Sequence, residues 1–237
     1  MKPILLNTEM VQAILDGRKT MTRRIIKPQP QSPVVNYLGT WQETQPCANG
    51  IRVFPPPYKP GDILYVRETW AKCPDLFGDF PQYIYRANYS EEQLSLEETS
   101  EETLSDFPAC VRWKPSIHMP KEAARIFLRV KSVRVERLQA ITNEEAIKEG
   151  VPDEWPMDAV YCPICKGEGL VGDIHPGTLG YRHVDCPYCS KATQRFENLW
   201  DNTIKTGDIG TYGWEANPWV WVIEFERCEK PEEVSGC

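Results

Sequence analysis

Two pairs of cysteines constrain the fold of this chain more than any other feature of its sequence. Cys162-Pro-Ile-Cys165 and Cys186-Pro-Tyr-Cys189 are C-x-x-C motifs with twenty residues between them, which is the spacing of a tetrahedral four-cysteine zinc site. The segment between the pairs is too rich in glycine to build a core, so metal binding must supply its folding free energy, of order 10–16 kcal/mol in comparable peptides. We therefore predict a zinc ribbon that holds structural Zn2+.

Two other uses of these thiols are less favoured. One is a redox dithiol. The other is an open catalytic zinc, which is less favoured because four thiolates leave no coordination position for water. The histidines that could replace one sulfur are His175 and His183.

The remaining composition is that of a folded globular chain. It has 237 residues, enough for one large domain with a small insert. No apolar run approaches the ~20 residues that cross a bilayer, and the Met1 end lacks the apolar region of a signal peptide. We expect a cytoplasmic protein with no membrane partner, in a compartment that keeps its thiols reduced.

The negative charge is concentrated in one place. Residues 90–106 contain seven acidic side chains and no basic one, which accounts for the whole net charge of −7. Outside this run, residues 1–30 carry a net charge of +4 and residues 112–138 a net charge of +6, so a basic surface for a nucleic acid is compatible with the sequence. We interpret the acidic run as a solvated insert; a protein-binding segment or a mimic of nucleic-acid charge is the alternative.

Apolar periodicity and capping signals predict strands and helices that do not alternate in the regular order of a βαβ fold. The residues from 28 to 60 are rich in proline and polar side chains and predict a long loop. The fold class is therefore α+β, with a small mixed β-barrel and flanking helices. The predicted strands are 3–7, 21–26, 62–70, 83–86, 124–138 and 218–225, and the predicted helices are 8–17, 142–150 and 192–204. The predicted domains are 1–150 plus 195–228 for the barrel, 151–194 for the zinc ribbon, 90–106 for the acidic insert and 229–237 for a tail.

Reactive side chains are densest in the run Gly17-Arg-Lys-Thr-Met-Thr-Arg-Arg24. Burial lowers the pKa of a lysine, so a neutral Lys19 could take the proton of the Thr22 hydroxyl and make it a nucleophile. Strand alternation separates the two side chains unless Lys19 lies in the turn before the strand. The alternative is a basic strand start whose threonines serve β-propensity.

Four motifs in this chain resemble those of the ASCH domain, a PUA-like β-barrel. They are the G-R-K-T-x-T-x-R run above, P-G-D-x-L-x-V-R-E-T-W at Pro60–Trp70, E-E-A-x-x-E-G at Glu144–Gly150 and the closing W-V-I-E-F strand. They occur in the family's order and span most of the chain outside the two inserts. The long form with R-E-T-W and a cysteine module is similar to ASCH proteins of phages and prophages.

The resemblance implies a set of site residues. Small bacterial ASCH amidohydrolases remove the acetyl group from N4-acetylcytidine with a lysine, a threonine and a late-helix glutamate, and these positions are Lys19, Thr22 and Glu149 here. Arg24 also matches the motif and is a candidate ligand for a carbonyl or phosphate oxygen. Those enzymes are much shorter and lack the cysteine module and the R-E-T-W strand, so the resemblance leaves room for a different substrate. We expect a modified cytidine or a related nucleoside.

Further candidates for substrate binding lie on the R-E-T-W strand. Arg67 and Glu68 stand at a strand end, and the alternative for them is a structural ion pair. Trp70 borders a polar segment and is a candidate for stacking on a base. Besides the hydrolase, two functions fit the family: a module that binds RNA, single-stranded DNA or a modified base without catalysis, and a ribonuclease.

Overall fold

The computed structural model describes residues 1–46, 50–72, 83–89, 112–152, 170–174, 181–185 and 191–231. Helices and strands are mixed, which confirms the α+β class. The strands are β1 Lys2–Leu5, β2 Met21–Ile25, β3 Val34–Tyr37, β4 Thr40–Glu43, β5 Ile63–Arg67, β6 Trp70–Lys72, β7 Tyr83–Tyr85, β8 Phe127–Arg137, β9 Leu170–Ile174, β10 Tyr181–Asp185 and β11 Trp219–Cys228. The helices are α1 Thr8–Leu15, α2 Asn143–Lys148, α3 Ala192–Thr203 and α4 Ile209–Tyr212.

The sequence predicts a β-barrel, but the described strands do not close into one. Their sheets are open, because each ends in edge strands that pair on one side only. The chain divides into two compact units, one of Met1–Gly17, Lys59–Ser132 and Phe225–Cys237, the other of Arg18–Tyr58 and Val133–Glu224.

The first unit is built on a short sheet with a well-buried centre. Strand β1 pairs in parallel with β5, which pairs antiparallel with the start of β8. Leu64 and Val66 of β5 are fully buried, as the alternation in the sequence predicts. Helix α1 begins where expected, because the Asn7 side chain accepts a hydrogen bond from the backbone N–H of Met10.

In the second unit, the two faces of strand β2 have different neighbours. Strand β2 pairs antiparallel with β11 in a register that sets Arg23 opposite Val222. Helices α2 and α3 pack on one face, in a core that includes Met21, Phe196 and Val222. On β11, Trp221 alternates with Val222 and makes an edge contact with Trp41 of β4, with the ring centroids 5.5 Å apart. The β3–β4 hairpin therefore contacts the second face through Trp41.

The hairpin corrects the prediction of a loop from 28 to 60. Strands β3 and β4 pair antiparallel, with Tyr37 opposite Thr40. The two residues of the turn both have positive φ, 50° at Leu38 and 83° at Gly39, which is the geometry that joins twisted strands. The sequence signal was weak because leucine seldom occupies this conformation, whereas asparagine often does.

Several predicted features lie outside the described residues. These are the acidic run 90–106, the four cysteines Cys162, Cys165, Cys186 and Cys189, and residues 232–237 of the tail. Within the predicted ribbon, β9 and β10 form an antiparallel pair. In the described part of the chain, no helix has the length and apolar run that a bilayer crossing requires.

Candidate functional site

Lys19 lies in the turn that leads into β2, before strand pairing begins at Met21. The following residue ties this turn to α2, because the backbone N–H of Thr20 donates to the carbonyl oxygen of Lys148 at 2.9 Å. Helix α2 is itself set by its N-cap, where the Thr142 side chain accepts from the N–H of Glu145. Two segments 128 residues apart in the sequence are joined in this way.

The Lys19 ammonium group is buried and makes three hydrogen bonds. It donates to the Met21 carbonyl at 2.8 Å, to the Glu149 carbonyl at 2.6 Å and to Glu149 Oε2 at 3.1 Å. The side chains of Lys19 and Glu149 are 2% and 4% exposed. An ammonium group has three N–H donors, so these contacts use all of them.

The electrostatic setting of Lys19 combines opposing effects. Removal from water lowers its pKa below the usual 10.5, and this is the largest effect. The Glu149 carboxylate raises the pKa, whereas the Arg24 and Arg23 cations lower it further. The net result is a lysine that loses its proton more readily than an exposed one.

Arg23 belongs to the same cluster, although the sequence analysis did not select it. Its guanidinium donates to Glu149 Oε1 at 3.1 Å and to Glu145 Oε2 at 2.5 Å. Its side chain is completely buried, on the β2 face that packs against α2 and α3, and it lies over the Phe196 ring. The signal that could have found it is the alternation of β2, which sets residue 23 on the same face as the apolar Met21 and Ile25.

Thr22 lies on the opposite face of β2 from Arg23 and is 4% exposed. Its cross-strand neighbour is Ile223. Among the described residues, its hydroxyl makes no hydrogen bond with Lys19 or Glu149. Arg24 shares the Thr22 face, opposite Trp221, and is partly exposed. The structure therefore joins Lys19 with Glu149 but separates Thr22 from the Arg23 side of the strand.

Arg67 and Glu68 have structural partners in the first unit. Arg67 Nε donates to the Met119 carbonyl at 2.9 Å, and its guanidinium also bonds the Ile117 carbonyl. Glu68 is 1% exposed and accepts two hydrogen bonds of 2.9 Å from Arg125. This is the ion-pair arrangement that the sequence left open for Glu68, although its partner is Arg125, which lies just before β8.

Trp70 is a core residue in this arrangement. It is 5% exposed and packs among Met119, Phe127 and their neighbours. Tyr83 meets it edge-on at 5.7 Å between ring centroids, and Lys114 Nζ lies 5.0 Å from the ring centroid. Stacking of a base on Trp70 would require these contacts to open.

The basic side chains of β8 are matched by acidic ones. Arg129 and Lys131 are exposed, and both face the Glu226 carboxylate. Arg129 Nη1 lies 3.9 Å from Oε1 and Lys131 Nζ lies 3.7 Å from Oε2. Arg134 is bound by three carboxylates, those of Glu136, Glu145 and Glu224. The excess of basic residues in the sequence is therefore partly neutralised along this strand, which weakens its attraction for a phosphate backbone.

No protein-family model, no curated protein and no solved structure matches this chain. Within the described ranges, no group of three or more histidine, cysteine or acidic side chains is arranged to hold a metal ion. The four cysteines predicted to bind zinc lie outside those ranges.

Proposed function

We propose that this chain is an ASCH-like protein of the PUA-like barrel class that hydrolyses the amide of an acetylated cytidine or related nucleoside. The observation that supports the proposal is the buried contact between Lys19 and Glu149, at 3.1 Å. These residues come from the two motifs that the resemblance pairs, and burial lowers the pKa of Lys19. A lysine with a lowered pKa is suited to act as a general base.

The proposed reaction transfers the acetyl group in two steps. Lys19, in its neutral form, takes the hydroxyl proton while the Thr22 oxygen attacks the acetyl carbonyl, and the amide C–N bond breaks as Lys19 returns that proton to the cytosine amine. Water then hydrolyses the acetyl-threonine ester and releases acetate. Glu149 orients Lys19, and Arg24 is assigned to the substrate oxygen. The step requires Lys19 to lose one proton, to leave the acceptor which that proton bonded, and to approach Thr22.

Binding without catalysis is the second candidate, and one observation favours it. All three N–H donors of Lys19 are engaged by protein acceptors, which is the arrangement of a structural ammonium. A module of this kind would hold RNA, single-stranded DNA or a modified base. Contacts from Arg67, Glu68 and Trp70 would require these side chains to leave the partners described above.

Incubation with N4-acetylcytidine separates the two candidates. We expect acetate release by the full-length protein, and loss of at least about 100-fold in Lys19→Ala and Glu149→Gln. Lys148→Ala is the matched control, because Lys148 is the exposed lysine beside Glu149 and should leave turnover unchanged. Salt-sensitive RNA binding that survives both site variants, without turnover, would favour the binding module.

We also propose that Cys162, Cys165, Cys186 and Cys189 hold structural Zn2+, since four thiolates are the ligand set of closed zinc sites. The full-length protein should contain one zinc ion per chain. Chelation should unfold residues 151–194 and leave the rest folded. A zinc-free protein that resists proteolysis across 151–194 would contradict this.

A further inference from the structure

Arg23 is a buried cation to which the proposed reaction assigns no part. Its side chain is 0% exposed, and it stands on β2 between apolar residues that face helices α2 and α3. Burying an arginine there costs free energy unless carboxylates compensate its charge. Burial of Arg23 therefore destabilises the fold unless its charge is compensated. The carboxylates that compensate this charge indicate the role of Arg23.

The Glu149 carboxylate is shared between two cations. Its Oε1 accepts from Arg23 and its Oε2 accepts from Lys19, each at 3.1 Å. A carboxylate group is planar and rigid, so a contact that fixes one oxygen also sets the direction of the other.

Arg23 is in turn held from three other sides. Glu145 Oε2 lies 2.5 Å from its terminal nitrogen, Glu136 Oε2 lies 3.5 Å from the same atom, and the Phe196 ring centroid lies 5.9 Å from its central carbon. The guanidinium therefore has little freedom to follow Glu149 if that side chain rotates. Its hydrogen bond to Oε1 therefore restricts the rotation of the Glu149 carboxylate.

We propose that Arg23 is a positioning residue. It holds Glu149 Oε1 so that Oε2 faces Lys19, and it shares the negative charge of that carboxylate with Lys19. The catalytic consequence rests on the proposed function, whereas the ionisation of Lys19 does not.

The charges that face Lys19 determine the direction of the effect. Glu149, at the C-terminal end of α2, raises the pKa of Lys19, and Arg23 and Arg24 of β2 lower it. Without Arg23, one cation is lost and Glu149 pairs with Lys19 only. The pKa of Lys19 should therefore rise in Arg23→Met.

The test is an NMR titration of the full-length protein labelled in its lysine side chains, with the Lys19 signal assigned by its loss in Lys19→Met. We expect the midpoint of the Lys19 titration to move to higher pH in Arg23→Met and to stay near the wild-type value in Arg23→Lys, which keeps the charge. Should Arg23→Met not fold, Arg23→Gln carries the same expectation, because it keeps an amide donor for the carboxylates but not the charge.

Arg134→Met is the matched control. Arg134 binds Glu145 and Glu136, as Arg23 does, but its carboxylate partners do not include Glu149. A Lys19 midpoint that is unchanged in Arg23→Met, or that moves equally in Arg134→Met, would overturn the proposal.

A second readout is the rate of the proposed deacetylation. We expect Arg23→Met to lower kcat by about 100-fold with little change in KM, as for a misplaced reacting group. Because Lys19 must be neutral to act as the base, the rising, low-pH limb of the pH profile should move to higher pH together with the Lys19 midpoint. If the wild-type protein has no turnover, the proposed function fails and the titration still decides the role of Arg23.

Discussion

Two buried carboxylates in this molecule are compensated in different ways. Glu68 in the first unit receives both of its charge-assisted hydrogen bonds from one guanidinium, that of Arg125. Glu149 in the second unit divides its oxygens between Arg23 and Lys19. The guanidinium of Arg125 also stacks on Tyr85 and keeps part of its surface in water, whereas the Lys19 ammonium is buried.

The difference shows which pair is suited to change its protonation. An arginine stays charged throughout the physiological range and matches a carboxylate in a fixed fork geometry, which favours a structural role. A buried lysine has an ionisation that its surroundings can tune. The Glu149 cluster therefore has the chemical means for proton transfer, and the Glu68 pair has the properties of a structural connection.

The largest expected effect is in the first unit. Arg125→Met leaves the Glu68 carboxylate buried without a partner, and we expect it to lower the free energy of unfolding by about 3–5 kcal/mol. Urea denaturation measures this. The double variant Glu68→Met with Arg125→Met should recover much of the loss, because no charge is then left unpaired; a double variant as unstable as the single one would argue against the structural role.

A smaller loss is expected from Lys19→Met in the second unit. The Glu149 carboxylate keeps Arg23 as a compensating charge, so the loss comes from the hydrogen bonds of Glu149 Oε2 and of two carbonyls. We expect about 1–3 kcal/mol, because the cost of burying the ammonium disappears with it. The same denaturation experiment applies. A loss equal to that of Arg125→Met would mean that Arg23 does not compensate Glu149, and the contrast between the two carboxylates would disappear.

The smallest effect concerns acid stability and a third carboxylate, Glu43. The hydrogen bonds from Arg52, with those from the Gln31 and Ser32 backbones, lower the pKa of Glu43 from 4.5 to about 2. Since the folded state then binds fewer protons than the unfolded state, stability falls as the pH drops from 4.5 towards 2. We expect the difference in urea midpoint between about pH 6 and about pH 3 to be smaller in Glu43→Gln; an unchanged difference would exclude this contribution.

Local signals in the sequence predicted most of the regular elements. Helix α1 begins at the Asn7 cap, helix α2 begins after the Thr142 cap, and β5 and β8 follow the apolar alternation. These signals act over a few residues and do not depend on distant contacts. The β3–β4 hairpin was missed because its turn uses Leu38, which does not signal a turn by residue type.

The candidate site was only partly accessible to sequence reasoning. Lys19 and Glu149 were paired through a family resemblance, because nothing in their separate motifs indicates that they touch. Arg23 was passed over, because an arginine on a strand is ordinarily exposed. Its burial follows from carboxylates that two distant segments bring to the same face of β2.

The sequence by itself determined where many of the helices and strands lie, since caps and apolar alternation are encoded within a few neighbouring residues. Tertiary structure alone decided that Lys19, Arg23 and Glu149 share one buried set of charges. The physical reason is that the cost of burying a charge depends on which opposite charges surround it, and packing brings those charges together from segments far apart in the chain.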